Sequence, residues 1–146
     1  MLAGFIVTLG CSTTAVKPRA GPTWQTHAYR VVRISAPSSW HVYRDAECIP
    51  NEHPGALALG AGNGSGNCMD QAGPPGTVVQ LSDLSPGALL TLPPPVERTT
   101  LRIHGLTILS STYSTGVTIW QVASAGVEVT GRGPSALTVM ATLRPA

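Results

Sequence analysis

Apolar and polar residues alternate along much of the chain with a period of two, the spacing that sends successive side chains to opposite faces of a strand. Tyr29 to Ile34 alternates in this way, with Arg30, Val32 and Ile34 on one side and Tyr29, Val31 and Arg33 on the other. Ala36-Pro37-Ser38-Ser39 breaks the run, and Trp40-His41-Val42-Tyr43 predicts a second strand with Trp40 and Val42 inward. Ala56 to Leu59 and Thr77 to Leu81 are short apolar runs of strand length. Between them, Gly60, Gly62, Gly64 and Gly66 alternate with small residues, a pattern for a loop tip rather than a helix. Ser85-Pro86-Gly87 reads as a turn, and Pro93-Pro94-Pro95 as a stiff extended connector.

The C-terminal third carries the clearest strand pattern. Leu101 and Ile103 alternate with Arg102 and His104, Gly105 interrupts, and Leu106 to Leu109 resumes. Ser114-Thr115-Gly116 leads into Val117 to Val122, and Gly126 into Val127 to Thr130. Short strands joined by glycine turns favour antiparallel pairing. The last element, Pro134 to Leu143, suits either a helix or a strand. Pro134 tips it to a helix, because a proline at the first helical position loses no hydrogen bond. Arg144 would then complement the helix dipole. The expected fold class is α+β, a largely antiparallel sheet with a short C-terminal helix.

Composition narrows the class. Lys, Arg, Asp and Glu make up 11% of the residues, against about 25% in an average soluble domain, while 42% are hydrophobic. That is too apolar for a disordered chain. The net charge of +2 is spread along the sequence, which does not suggest nucleic-acid binding. No apolar run is long enough to cross a bilayer.

Residues 1–10 form an apolar, uncharged run that fits the hydrophobic region of an export signal. Residues 11–23 read as a linker and residues 24–146 as one globular domain. Leu9-Gly10-Cys11 resembles the end of the lipobox of bacterial lipoproteins, although Thr8 departs from it and no Lys or Arg precedes the run. The resemblance implies lipid attachment at Cys11, and hence an extracytoplasmic, membrane-anchored protein of the cell envelope. The competing reading is an ordinary first strand or a frayed terminus. With Cys11 lipidated, Cys48 and Cys68 remain as a pair, and an exported protein would hold them as a disulfide. Two unrelated buried thiols are the alternative.

Ile34-Ser35-Ala36-Pro37-Ser38-Ser39-Trp40-His41-Val42, together with Gly126-Val127-Glu128-Val129-Thr130 and the ending Ala141-Thr142-Leu143-Arg144-Pro145, resembles small exported proteins of actinobacteria. A more distant similarity is to PsbP-like domains, which implies an antiparallel sheet packed against helices. Neither resemblance supplies catalytic residues.

The densest polar cluster is Asp45, Glu47, Glu52 and His53 around Cys48. Glu47, Glu52 and His53 are the candidate cation ligands, but their spacing matches no metal motif. Ser65 does not sit in a Gly-x-Ser-x-Gly elbow, because Asn67 takes the final place. His41 and His104 are expected to face solvent, and Trp40 and Trp120 to lie in the core. Trp24, at the edge of the linker, is the candidate for an exposed binding residue. The sequence therefore predicts a non-enzymatic envelope domain without a cofactor. Its partners would be the membrane, through the lipid, and an envelope protein or glycan. The alternative is a small extracytoplasmic hydrolase or metal-binding protein using the Cys48–Cys68 loop.

Overall fold

The computed structural model describes residues 23–45, 53–60, 76–84 and 93–146. More than half of these residues are in strands, and the helix α1 spans only Ala136–Met140. The domain is mostly β, not a balanced α+β arrangement.

Among the described residues, ten strands form two sheets. The smaller contains β1 (Trp24–Tyr29), β2 (Val32–Pro37) and β10 (Arg144–Pro145), in the order β1-β2-β10. The larger contains β3 (His41–Arg44), β4 (Ala56–Leu59), β5 (Val78–Asp83), β6 (Glu97–Ile103), β7 (Leu106–Thr112), β8 (Thr118–Val122) and β9 (Val127–Arg132), in the order β3-β4-β5-β9-β8-β7-β6. Pairing is antiparallel except among β3, β4 and β5, which run parallel. The short apolar run at β4 has a structural reason, because all four of its residues are buried. A parallel strand enclosed on both faces reads as continuous apolar sequence rather than as alternation.

One core joins the two sheets. Val32, Ile34 and Ala36 on β2 belong to one apolar cluster with Leu57, Leu59, Val79, Leu81, Val127 and Val129 of the larger sheet. Helix α1 lies between them, touching β2, β5 and β9. Val139, Met140 and Leu143 are completely buried there, whereas Leu137 is 57% exposed. Trp40 and Trp120 join this core, as their strand patterns predict.

Three local expectations are corrected. Tyr29 to Ile34 is not one strand, because the chain reverses at Arg30-Val31, with Arg30 at φ 50°. Its alternation survives in Val32 and Ile34, which share a buried face. Val42 is 37% exposed rather than inward, since β3 lies at the sheet edge. The final helix is shorter than Pro134 to Leu143. Ser135 is its N-cap residue and Pro134 precedes it. Arg144 lies in β10 opposite Arg33, so it pairs in a sheet instead of ending a helix.

Packing at Gly55 admits no side chain. A methyl group there would lie 2.7 Å from Cδ2 and Cζ2 of Trp40, and closer still to Cε2. The indole is itself buried and has nowhere to move. Gly55→Ala should therefore cost about 1–3 kcal/mol, the usual penalty for overfilling a packed core. Urea unfolding should show a lower midpoint with an unchanged slope.

Candidate functional site

The outward side of the smaller sheet gathers Trp24, Thr26 and Ala28 from β1, Arg33, Ser35 and Pro37 from β2, and Arg144 from β10. Register places them together. Trp24 lies opposite Pro37, Thr26 opposite Ser35, Ala28 opposite Arg33, and Arg33 opposite Arg144. The other face of β2 carries the buried Val32, Ile34 and Ala36. Trp24 is 40% exposed. The Thr26 and Ser35 hydroxyls are 2.9 Å apart, and Arg144 Nη2 donates to Thr26 Oγ1 at 3.3 Å. The face thus runs from an indole, across the Thr26 hydroxyl and the buried Ser35, to the adjacent guanidinium groups of Arg33 and Arg144, which have no acidic partner among the described residues.

The edge of that sheet is equally distinctive. Tyr29 and Val32 flank a two-residue turn and form a hydrogen-bonded pair, so the pairs His27–Ile34 and Gln25–Ala36 are hydrogen-bonded too. Trp24, Thr26 and Ala28 consequently direct their N–H and C=O groups away from β2. Among the described residues no strand pairs with that side. Edge strands usually carry charges or proline, or are very short. Strand β6 carries Glu97, Arg98 and Arg102, and β10 has two residues, one of them Pro145. Strand β1 has six residues with neither Lys, Arg, Asp, Glu nor Pro. Burial, aided by the positive charge of Arg44, holds His27 below its usual value, so β1 is uncharged at neutral pH.

A polar clamp fixes this hairpin to the larger sheet. Arg30 donates from both Nε and Nη2 to the Asp83 carboxylate, and the Tyr29 hydroxyl donates to Asp83 Oδ1 at 2.6 Å. These bonds, led by the Arg30 contact, hold Asp83 below the usual carboxylate range. Burial and the Asp83 contact raise the Tyr29 phenol. The ion pair is solvent-exposed, so its contribution is orientation more than stability. Sequence pattern could not expose it, because its partners are 53 positions apart and neither stands in a motif.

The sequence-derived candidates divide. Cys11, Cys48, Cys68, Glu47 and Glu52 lie outside the described residues, as does the glycine-rich segment around Ser65. His53 and Asp45 are exposed. The histidines occupy separate elements: His27 on β1, His41 on β3, His53 before β4, and His104 in the β6–β7 turn. His41 and His104 are exposed, as expected. The His104 ring also donates from Nδ1 to the Leu143 carbonyl at 2.9 Å, which fixes its tautomer. Among the described residues, no three His, Cys, Asp or Glu side chains are grouped to hold a metal ion.

Alternation alone also missed Glu128. It is half-buried on β9 opposite Gln121, with Oε2 buried and unpartnered among the described residues. Burial raises its carboxyl above the ordinary value, while a hydrogen bond with Gln121 pulls the other way. Between the ordinary value of 4.5 and the raised native value, the folded state holds more protons than the unfolded state. Stability therefore falls as pH rises through that window. Glu128→Gln should remove this component, flattening the pH profile of urea midpoints above about pH 4.5 and leaving the variant at least as stable at neutral pH. No family model, curated protein or solved structure matches the chain.

Proposed function

We propose that the chain is an exported, lipid-anchored cell-envelope domain with a non-enzymatic binding role, and that it binds through the outer side of its smaller sheet. The observation that carries this reading is Trp24, a large exposed aromatic opening a strand whose outer side has no pairing strand among the described residues. Partly exposed aromatics and unpaired strand edges are recurrent elements of protein recognition. The same strand follows shortly after Cys11, so an anchor there would present this sheet near the membrane. The hydrolase or metal-binding alternative rests on the Cys48–Cys68 loop, whose cysteines lie outside the described residues.

The proposal includes the Cys48–Cys68 disulfide. Cys48 follows β3 and Cys68 follows β4, and these strands are hydrogen-bonded neighbours running in the same direction. A bridge between the two connections would tie together the parallel part of the sheet, stabilising the fold by about 3 kcal/mol in the chain-entropy model.

Two measurements test these points separately. Mass spectrometry of the native protein should find a mature chain that begins at Cys11 and carries acyl groups. An intact, unmodified Met1 terminus would contradict the anchor. Peptide mapping without reduction should recover Cys48 and Cys68 in one linked pair, and reduction should lower the urea midpoint. Two free thiols on the unreduced, unfolded chain would remove the bridge.

A further inference from the structure

We infer that the open edge of β1 is the docking site for a second copy of this chain, pairing antiparallel across a two-fold axis at Thr26. The inference rests on the binding role just proposed and names its partner. Strand addition needs unpaired main-chain groups on a regular edge, and Trp24, Thr26 and Ala28 supply them in alternation. Hydrogen-bonded pairing centred on Thr26 sets Thr26 against Thr26 of the second copy. It also sets Trp24 against the second copy's Ala28, and Ala28 against its Trp24. All three outward N–H and C=O pairs on each copy are then satisfied.

The side chains suit this register and no like charges meet in it. Threonine pairs favourably with threonine across strands. The largest outward-side residue of β1 meets the smallest, so each indole has room to lie across a methyl group. Beyond Ala28 on the same face stands Arg33, its register partner on β2, which has no acidic partner among the described residues. Each Trp24 would therefore extend toward the second copy's Arg33, where a guanidinium stacks favourably on an indole face. Pairing β6 with another β6 lacks this fit, because that edge carries Glu97, Arg98 and Arg102. A β1–β1 pair would make one continuous six-stranded sheet from the two smaller ones. The contact is narrow, so the affinity should be modest. Confinement of two anchored copies to a membrane would raise their effective concentration.

The test uses the full chain in detergent. Sedimentation velocity over a concentration series should show reversible monomer–dimer association. Ala28→Glu fills the space beneath the second copy's Trp24 and pairs with Arg33 of its own copy, drawing that guanidinium away from the indole, and should weaken association at least tenfold. Its circular dichroism should be unchanged, because Ala28 faces solvent. Thr26→Cys gives an independent readout. A hydrogen-bonded antiparallel pair holds its Cα atoms about 5.5 Å apart, within the range a disulfide spans. Mild oxidation should then yield a covalent dimer well beyond the wild-type background. Gln25→Cys, whose side chain lies on the opposite face, should not. A chain that stays monomeric, or a dimer that Ala28→Glu does not weaken or Thr26→Cys does not cross-link, overturns the inference. A lipid-bearing monomer would overturn the pairing alone and leave the anchored binding domain standing.

Discussion

The apolar wedge at the end of the chain holds the two sheets in one structure. Val139, Met140 and Leu143 are completely buried between β2 and the larger sheet. Each contributes about 1.5–3 kcal/mol by leaving water. Without them, a three-stranded sheet with one buried face would have little apolar surface of its own to cover. Polar contacts set the wedge's position. The Thr142 hydroxyl accepts from the Ser35 N–H at 2.8 Å and lies 2.7 Å from the Val139 carbonyl. It thus extends the pairing of β2 just where β10 has not yet begun.

This constraint explains why the candidate binding edge is where it is. One side of β2 is taken by β10 and Thr142, so the other is left for β1. The two-residue turn at Arg30-Val31 then decides which β1 groups pair inward and which point out. The Arg30–Asp83 and Tyr29–Asp83 bonds fix the orientation of that turn against β5. Thr142 and β10 therefore complete one side of β2, and among the described residues no strand pairs with the outer side of β1. Coupling residues more than a hundred positions apart is costly in loop-closure entropy, a cost that grows only slowly with length. It is offset by the complete burial of Val139, Met140 and Leu143.

Much of the fold was legible because burial on one face imposes a period of two. Leu101, Ile103, Leu106 and Ile108 mark the β6–β7 hairpin, and Gly105 at φ 82° supplies its turn. The two core tryptophans and the exposed Trp24 were equally readable from their neighbours. Where both faces are covered the signal fades, which hid the parallel pairing of β4. A turn without glycine, made by Arg30 at φ 50°, looked like continuous strand. The final segment deceived for another reason. Its apolar spacing suited two periods, and the tertiary site selected a helix of five residues followed by a strand. The Asp83 clamp depends on distant residues and left no local trace. Trp24 was visible as a candidate, but the open edge beside it emerged only from the pairing order.

The central claim is that both sheets share one core through the C-terminal wedge. Native-state hydrogen exchange of Leu143→Ala tests it most directly. Truncating a buried leucine costs about 2–5 kcal/mol. If the core is shared, the inward amides of β1 and β2 and those of β5, β8 and β9 should all lose protection by the same amount. Loss confined to β1 and β2, with the larger sheet as protected as in the wild type, would show two independent units and contradict the account.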